Sequence, residues 1–372
     1  MRPLSALEAI SPAWSHTSRL LWEKRSWKTM LKIGIIACFA EVGASFNSNF
    51  NSNSLSNALN SGNAGNSPFS GGHAITPGAL AIVASVLLIV VPIFLLISLI
   101  FFYIDSRLQF VLFEVVLRND TTVGPIWSRY GAATWRWMGL KLMFFIACLL
   151  LCLPLLIPAV VQFVHLAGGQ GSTSDHPAAL IISMVAVFGA IGVIVLLFSL
   201  FYMFIYDFGL PAMALESTSV SQTLSRVWNV LRAEPGQSLL YLVMRIVLGF
   251  AGGMAASFGI FFAVLIACIP IGLLAVLDVV ILKNAGTGGH VIMVLVLVVL
   301  GIAFFAAIFI AGFIIMGYLL TFIQAYALYF LGGRYPLLGQ YLAPYWPATH
   351  MPVPPPTPPT PPAPSTFNPP IV

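Results

Sequence analysis

The chain has 372 residues, of which 59% are hydrophobic and only 7% charged, against about 25% charged in an ordinary soluble domain. No water-facing surface can be built from that composition, whose 16 Lys and Arg against 11 Asp and Glu leave a net charge of +5. Membrane lipid is the expected partner of those charges, and no nucleic acid is expected. What the composition supports is an all-α, polytopic membrane protein: a hydrocarbon core roughly 30 Å thick needs about 20 apolar residues of helix, and unbroken runs such as 79–100 lack the alternation of a barrel strand.

Residues 1–28 carry Arg19, Lys24, Arg25 and Lys28 among Trp14, Trp22 and Trp27. They read as a cytoplasmic or interfacial segment with no removable signal peptide, because no apolar stretch ends in a small-residue cleavage site. A membrane domain is expected over 29–330, with six spans near 29–46, 76–103, 137–166, 177–206, 237–282 and 290–322. The first is the least apolar, holding Lys32 and Glu41. Gly252-Gly253 and Pro270 are expected to break the long fifth run.

Basic residues set the expected orientation, since they concentrate in cytoplasmic loops. Arg107, Arg118, Arg129 and Arg136 lie between spans two and three, Arg226 and Arg232 between four and five, and Arg334 after six, whereas Lys283 is the lone basic residue of the alternate loops. Both termini are therefore expected in the cytoplasm of a bacterial cell, with the chain in its inner membrane. The Asn, Ser and Gly tract 47–72 then becomes an extracytoplasmic loop, and the Gly-rich pieces 168–171 and 286–289 become hairpin turns. Residues 331–372 form a cytoplasmic tail that turns Pro-rich from 344 and favours extended polyproline II.

Self-similarity adds an expected threefold repeat of interfacial helix plus transmembrane hairpin, in units of about 1–104, 105–206 and 207–330. Asp105 and Glu114 recur at the separation of Asp207 and Glu216, each pair following an apolar run that ends in aromatics and preceding Ser128-Arg129 or Ser225-Arg226. The connectors are expected along the headgroups, because Leu108, Val111, Leu112 and Val115 share a helical face while Arg107, Arg118 and Arg129 supply charge attracted to anionic lipid.

The stretch Pro211-Ala212-Met213-Ala214-Leu215-Glu216, followed by Ser225-Arg226-Val227-Trp228-Asn229-Val230-Leu231 and an apolar run, resembles the membrane domain attached to some glycerophosphodiester phosphodiesterases and related bacterial multi-spanning proteins of unknown function. The resemblance is best over 207–248 and implies an architecture. It transfers no catalytic residue, and the short remainder after the last span has no room for the soluble barrel of the enzyme-linked members.

Asp105 and Asp207, with Gln324 at the comparable point of span six, are candidates for a polar ring at the mouth of a pathway or for caps on the following helices. Lys32, Lys141 and Arg245 read as snorkelling to headgroups. Glu114 with Arg129 and Glu216 with Arg226 are candidate interfacial ion pairs. Gly249, Gly253 and Ser257 in span five and Ala303, Ala307 and Ala311 in span six offer small-residue faces for close helix packing.

No cofactor, metal site or catalytic constellation is expected: Glu41, His73, His165, Asp175, His176, Asp278 and His290 lack metal-ligand spacing, and Cys38, Cys148, Cys152 and Cys268 lie in apolar runs as packing residues. The function expected is a non-enzymatic envelope scaffold, sensor or accessory factor, with membrane lipids, further copies or other membrane proteins as partners. A transporter or channel for an unidentified solute is the alternative.

Overall fold

The computed structural model describes residues 2–23, 26–42, 77–119, 122–167, 177–282 and 286–346. Every regular element among them is helical. In chain order they are α1 (Ile10–Ser18), a π-helical turn Arg19–Glu23, α2 (Trp27–Val42), α3 (Pro77–Arg118), α4 (Val123–Arg129), α5 (Gly131–Ala167) and α6 (Pro177–Phe204). A second π-helical turn, Ile205–Gly209, leads to α7 (Leu210–Glu216), α8 (Val220–Ala233), α9 (Pro235–Leu282), α10 (Gly286–Gly332), α11 (Pro336–Leu342) and the 3-10 turn Ala343–Tyr345.

Five stretches are long and apolar enough to cross a membrane: Leu88–Arg118, Gly131–Pro158, Ile182–Glu216, Pro235–Ile281 and Gly288–Gly332. The expected first span corresponds to α2, whose 16 residues rise about 24 Å. The 48 residues of α9 rise about 72 Å, more than twice the thickness of a hydrocarbon core, so the long helices carry their chain well past the lipid. Neither Gly252-Gly253 nor Pro270 breaks α9, and Gly286-Thr287-Gly288-Gly289 opens α10 instead of forming a turn. The tract 47–72, the piece 168–171 and the Pro-rich tail lie outside the described residues.

Burial is unequal along these helices. In the most apolar stretch of each of the five, at most 17% of residues are buried, so most side chains there face outward, as lipid-facing positions do. The core sits at one end. It is built from three continuous stretches in which almost every residue is enclosed, 105–117 of α3, 204–213 around the second π turn and 321–332 of α10, with Trp137, Tyr241 and the N-terminal Leu4, Ala9, Ala13 and Leu20 packed among them. The connector after the second expected span is thus no helix lying along the headgroups. It is the straight continuation of α3, and Leu112, Val115 and their neighbours are buried on all sides, the pattern of an internal helix.

The N-terminal segment belongs to this core. Tyr326 donates to the Ala6 carbonyl at 3.0 Å, Arg334 Nη1 donates to the Leu4 carbonyl at 2.9 Å, and Trp14 packs edge-on against Tyr318 and Phe322 with centroids 5.2 and 5.6 Å away. Elsewhere α2 packs against α10 and α3, α5 against α6 and α3, and α9 against α10.

Close helix approach uses other small residues than those expected. Gly252, Ala256 and Gly259 form the inner face of α9: a Cβ at Gly252 would overlap Leu319, one at Gly259 would touch Ile315 at 3.4 Å, and Ala256 is buried. Gly249 and Gly253 have open space around them, Ser257 is exposed and donates back to the Gly253 carbonyl, Ala303 and Ala307 are exposed, and Ala311 is half-buried. The tightest crossing pairs Gly34 of α2 with Gly317 of α10, where any Cβ would overlap the Phe313 carbonyl or the facing glycine backbone. Spacing alone defines several equivalent faces on an apolar helix, and only the neighbour selects one.

Candidate functional site

Where the long helices leave their apolar stretches and enter the core, five charged side chains gather. Asp105 of α3 accepts from Lys141 Nζ of α5 at 2.7 Å, and Lys141 also reaches Ser106 Oγ at 3.1 Å. One turn before Lys141, Trp137 Nε1 donates to Gln109 Oε1 at 2.6 Å, while Gln109 Nε2 donates to the Ala40 carbonyl of α2 at 2.9 Å. The second pair has the same plan. Arg245 of α9 forks onto Asp207 in the second π turn, Nε to Oδ2 at 2.9 Å and Nη2 to Oδ1 at 3.2 Å, and Tyr241, one turn before Arg245, donates to Asp207 Oδ2 at 2.7 Å.

Both pairs are enclosed, with all four side chains less than one-tenth exposed. Buried charges require such partners, because the low-dielectric surroundings penalise a lone ion heavily. The walls are aromatic: Tyr241 stacks on Tyr326 and Phe330 with centroids 5.3 and 4.4 Å away, and the Lys141 ammonium lies 5.4 Å from the Phe102 ring centre.

This geometry corrects the capping expectation. Asp105 lies inside the unbroken α3, and Asp207 lies in a π turn ahead of α7, whose own N-cap, Gly209, has no side-chain cap. Lys141 and Arg245 do not reach out to headgroups either; they are the aspartates' partners. Gln324 is buried on α10, while the third carboxylate in electrostatic reach of both pairs is Glu41, at the end of α2.

Further along the core lie the other expected pairs. Glu114, only 1% exposed, accepts from Arg129 Nη1 at 2.5 Å, from Tyr130 at 2.6 Å and from Arg118 Nε at 3.0 Å. Burial, then the hydrogen bond to Glu114, pushes the Tyr130 hydroxyl upward. Glu216 pairs with Arg226, whose guanidinium lies 5.2 Å from the Tyr335 ring centre, beside a cleft of about 320 Å³. Arg107 donates to the Trp127 carbonyl and to Tyr103. The arginines expected to attract anionic lipid, Arg107, Arg118 and Arg129, are therefore all engaged in internal bonds.

One feature carried no signal in the sequence: His16 sits between the Val116 carbonyl, 2.8 Å from Nε2, and the Tyr329 hydroxyl, 3.2 Å from Nδ1. Trp14, Trp22 and Trp27 of the expected interfacial segment, and with them Trp135 and Trp228, are each more than half exposed, as amphipathic rings at a membrane–water boundary are. Among the described residues no three His, Cys, Asp or Glu side chains are grouped to hold a metal ion; His73, Asp175 and His176 fall outside those residues, as does the side chain of His165.

A profile described as "Family of unknown function (DUF7544)" matches residues 4–341. No curated protein and no solved structure matches the chain. Nothing in these comparisons links it to the phosphodiesterase membrane domain.

Proposed function

The chain belongs to DUF7544, a family of unknown function, so membership brings no activity with it, and we propose from the geometry that it works as a non-enzymatic membrane scaffold. In this reading a charge-clamped core at the cytoplasmic end holds transmembrane hairpins whose outer surfaces face lipid and other membrane proteins. The observation that carries it is the pairing itself: Asp105 with Lys141 joins α3 to α5, and Asp207 with Arg245 joins the end of α6 to α9. Each bond thus ties one hairpin to the next, while few residues of the apolar stretches beyond are fully buried.

The same plan supports the threefold repeat, with α2 and α3 as the first hairpin, α5 and α6 as the second, and α9 and α10 as the third. In two of the junctions an acid at the end of one hairpin meets a base one turn after an aromatic in the next. The exposed tryptophans, with Lys28, Arg136 and Arg232 exposed beside them, support contact with anionic headgroups at the core end, which the basic-residue asymmetry assigns to the cytoplasmic face of an inner membrane.

One observation favours transport instead: charged groups from α2, α3, α5, α9 and the second π turn meet in one layer, and intramembrane charges often mark ion pathways. Flux through proteoliposomes separates the two. The scaffold reading expects proton and potassium permeability equal to that of protein-free vesicles. Flux above that background, abolished by Asp105→Asn or Asp207→Asn, would replace the scaffold with a transporter.

A further inference from the structure

The charges of the central layer do not balance. Lys141 is taken by Asp105 and Arg245 by Asp207, and Glu41 is a third carboxylate beside them, within electrostatic reach of all four. Its place is fixed by geometry: the Gln109 amide that donates to the Ala40 carbonyl at 2.9 Å also lies 3.5 Å from both Asp105 carboxylate oxygens, which ties the end of α2 to the first pair. The close crossing at Gly34 and Gly317 holds the same helix against α10.

The groups within electrostatic reach of Glu41 among the described residues are Asp105 of α3, Lys141 of α5, Tyr202 and Tyr206 at the end of α6 and in the turn after it, Asp207 of the second π turn and Arg245 of α9. α10 brings no compensating base, since residues 286–332 contain no Asp, Glu, Lys or Arg. Lys32, on α2 itself, is nine residues back, about 13 Å along the helix. Among the described residues no ion pair includes Glu41. The Tyr202 hydroxyl, within electrostatic reach of both Asp105 and Glu41, is buried with no hydrogen-bond partner among the described residues.

We propose that Glu41 is a binding site for one exchangeable proton, which balances the charge layer joining the three hairpins. Carboxylate and hydronium give carboxylic acid and water, and the five-residue layer goes from −1 to neutral. A partly buried carboxylate without a base favours that neutral form. When the proton leaves, the anion competes with Asp105 and Asp207 for Lys141 and Arg245, so proton occupancy sets how firmly the hairpins are clamped. This goes beyond the scaffold reading and does not depend on its outcome, because the site is tested by spectroscopy without transport.

The experiment is infrared difference spectroscopy of the full chain in lipid nanodiscs between acidic and alkaline buffer, with thermal melts of the same samples. The expected result is a titrating carboxylic-acid C=O band that disappears in Glu41→Gln and persists in Glu234→Gln. Wild type should melt at lower temperature as the pH rises and the proton leaves, and Glu41→Gln, a neutral mimic of the protonated group, should lose that slope while remaining folded. Glu41→Asp should restore a carboxyl band at a shifted frequency. Survival of the wild-type band in Glu41→Gln overturns the proposal, as does its absence from wild type. So do carboxylate bands that move with sodium or potassium at constant pH, which would make the layer an alkali-cation site.

Discussion

At the scale of single residues, His16 is the side chain whose state the structure dictates most clearly. A carbonyl only accepts, so the 2.8 Å contact from Nε2 to the Val116 oxygen puts the ring hydrogen on Nε2, and Nδ1 accepts from Tyr329. The neutral ring satisfies both bonds. Burial pushes His16 below its ordinary value of 6.5, the Val116 bond opposes that, and the nearby Arg19 adds to the lowering. A histidine depressed in the folded state stabilises it above the unfolded pKa and loses that contribution as the pH falls. Docking of α1 on the core should therefore weaken from about pH 6.5 downward, and hydrogen exchange of the α1 amides should accelerate there in wild type but stay flat in His16→Gln. Nothing in the sequence singles out His16, because its partners are a backbone carbonyl 100 residues away and a tyrosine 313 residues away. Asp105 and Asp207 were legible, being acids where apolar runs end, but their bases were not. Lys141 and Arg245 at the start of a span look like snorkelling groups until the preceding hairpin is seen beside them.

At the scale of elements, the bonds between helices are what the clamp predicts about. Asp105→Asn would leave Lys141 buried without its counter-charge, which typically costs about 3–5 kcal/mol, whereas removing both charges of a buried pair is far milder. The double variant Asp105→Asn with Lys141→Met should accordingly melt closer to wild type than either single variant, a coupling that a double-mutant cycle reads directly. Additive losses would show that α3 and α5 are held by packing alone. Element type was readable from the long apolar runs, but the ends of the elements were not. An apolar stripe at Leu108, Leu112 and Val115 with arginines beside it fits a helix lying on headgroups as well as one enclosed by protein. Phe110 between them packs on Tyr130 and Trp137 with ring centroids 5.3 and 6.4 Å away, partners that local periodicity does not see.

At the scale of the whole molecule, the Lys and Arg asymmetry predicts which end faces which compartment. His290, at the start of α10, and Ser221, on α8, are both exposed and stand at opposite ends of the spans. In a background free of native cysteines, His290→Cys should react with an impermeant thiol reagent added to intact cells. Ser221→Cys should react only after permeabilisation. The reverse pattern would invert the orientation drawn from the Lys and Arg asymmetry.

The sequence by itself determined the solvent of this protein and its class: with 7% charge and runs of 20 or more apolar residues, only membrane helices satisfy both the side chains and the backbone. It also marked the acids at the ends of the apolar runs. Tertiary structure alone decided which base each acid meets, which small residues face a neighbouring backbone, and that the core lies at one end of long and mostly lipid-exposed helices. The physical reason is the uniformity of an apolar helix. Every face of it suits lipid or protein equally well, so the choice is made by the charged and close-packed contacts between segments, such as Asp207 with Arg245 and Gly34 with Gly317, that are distant in the chain.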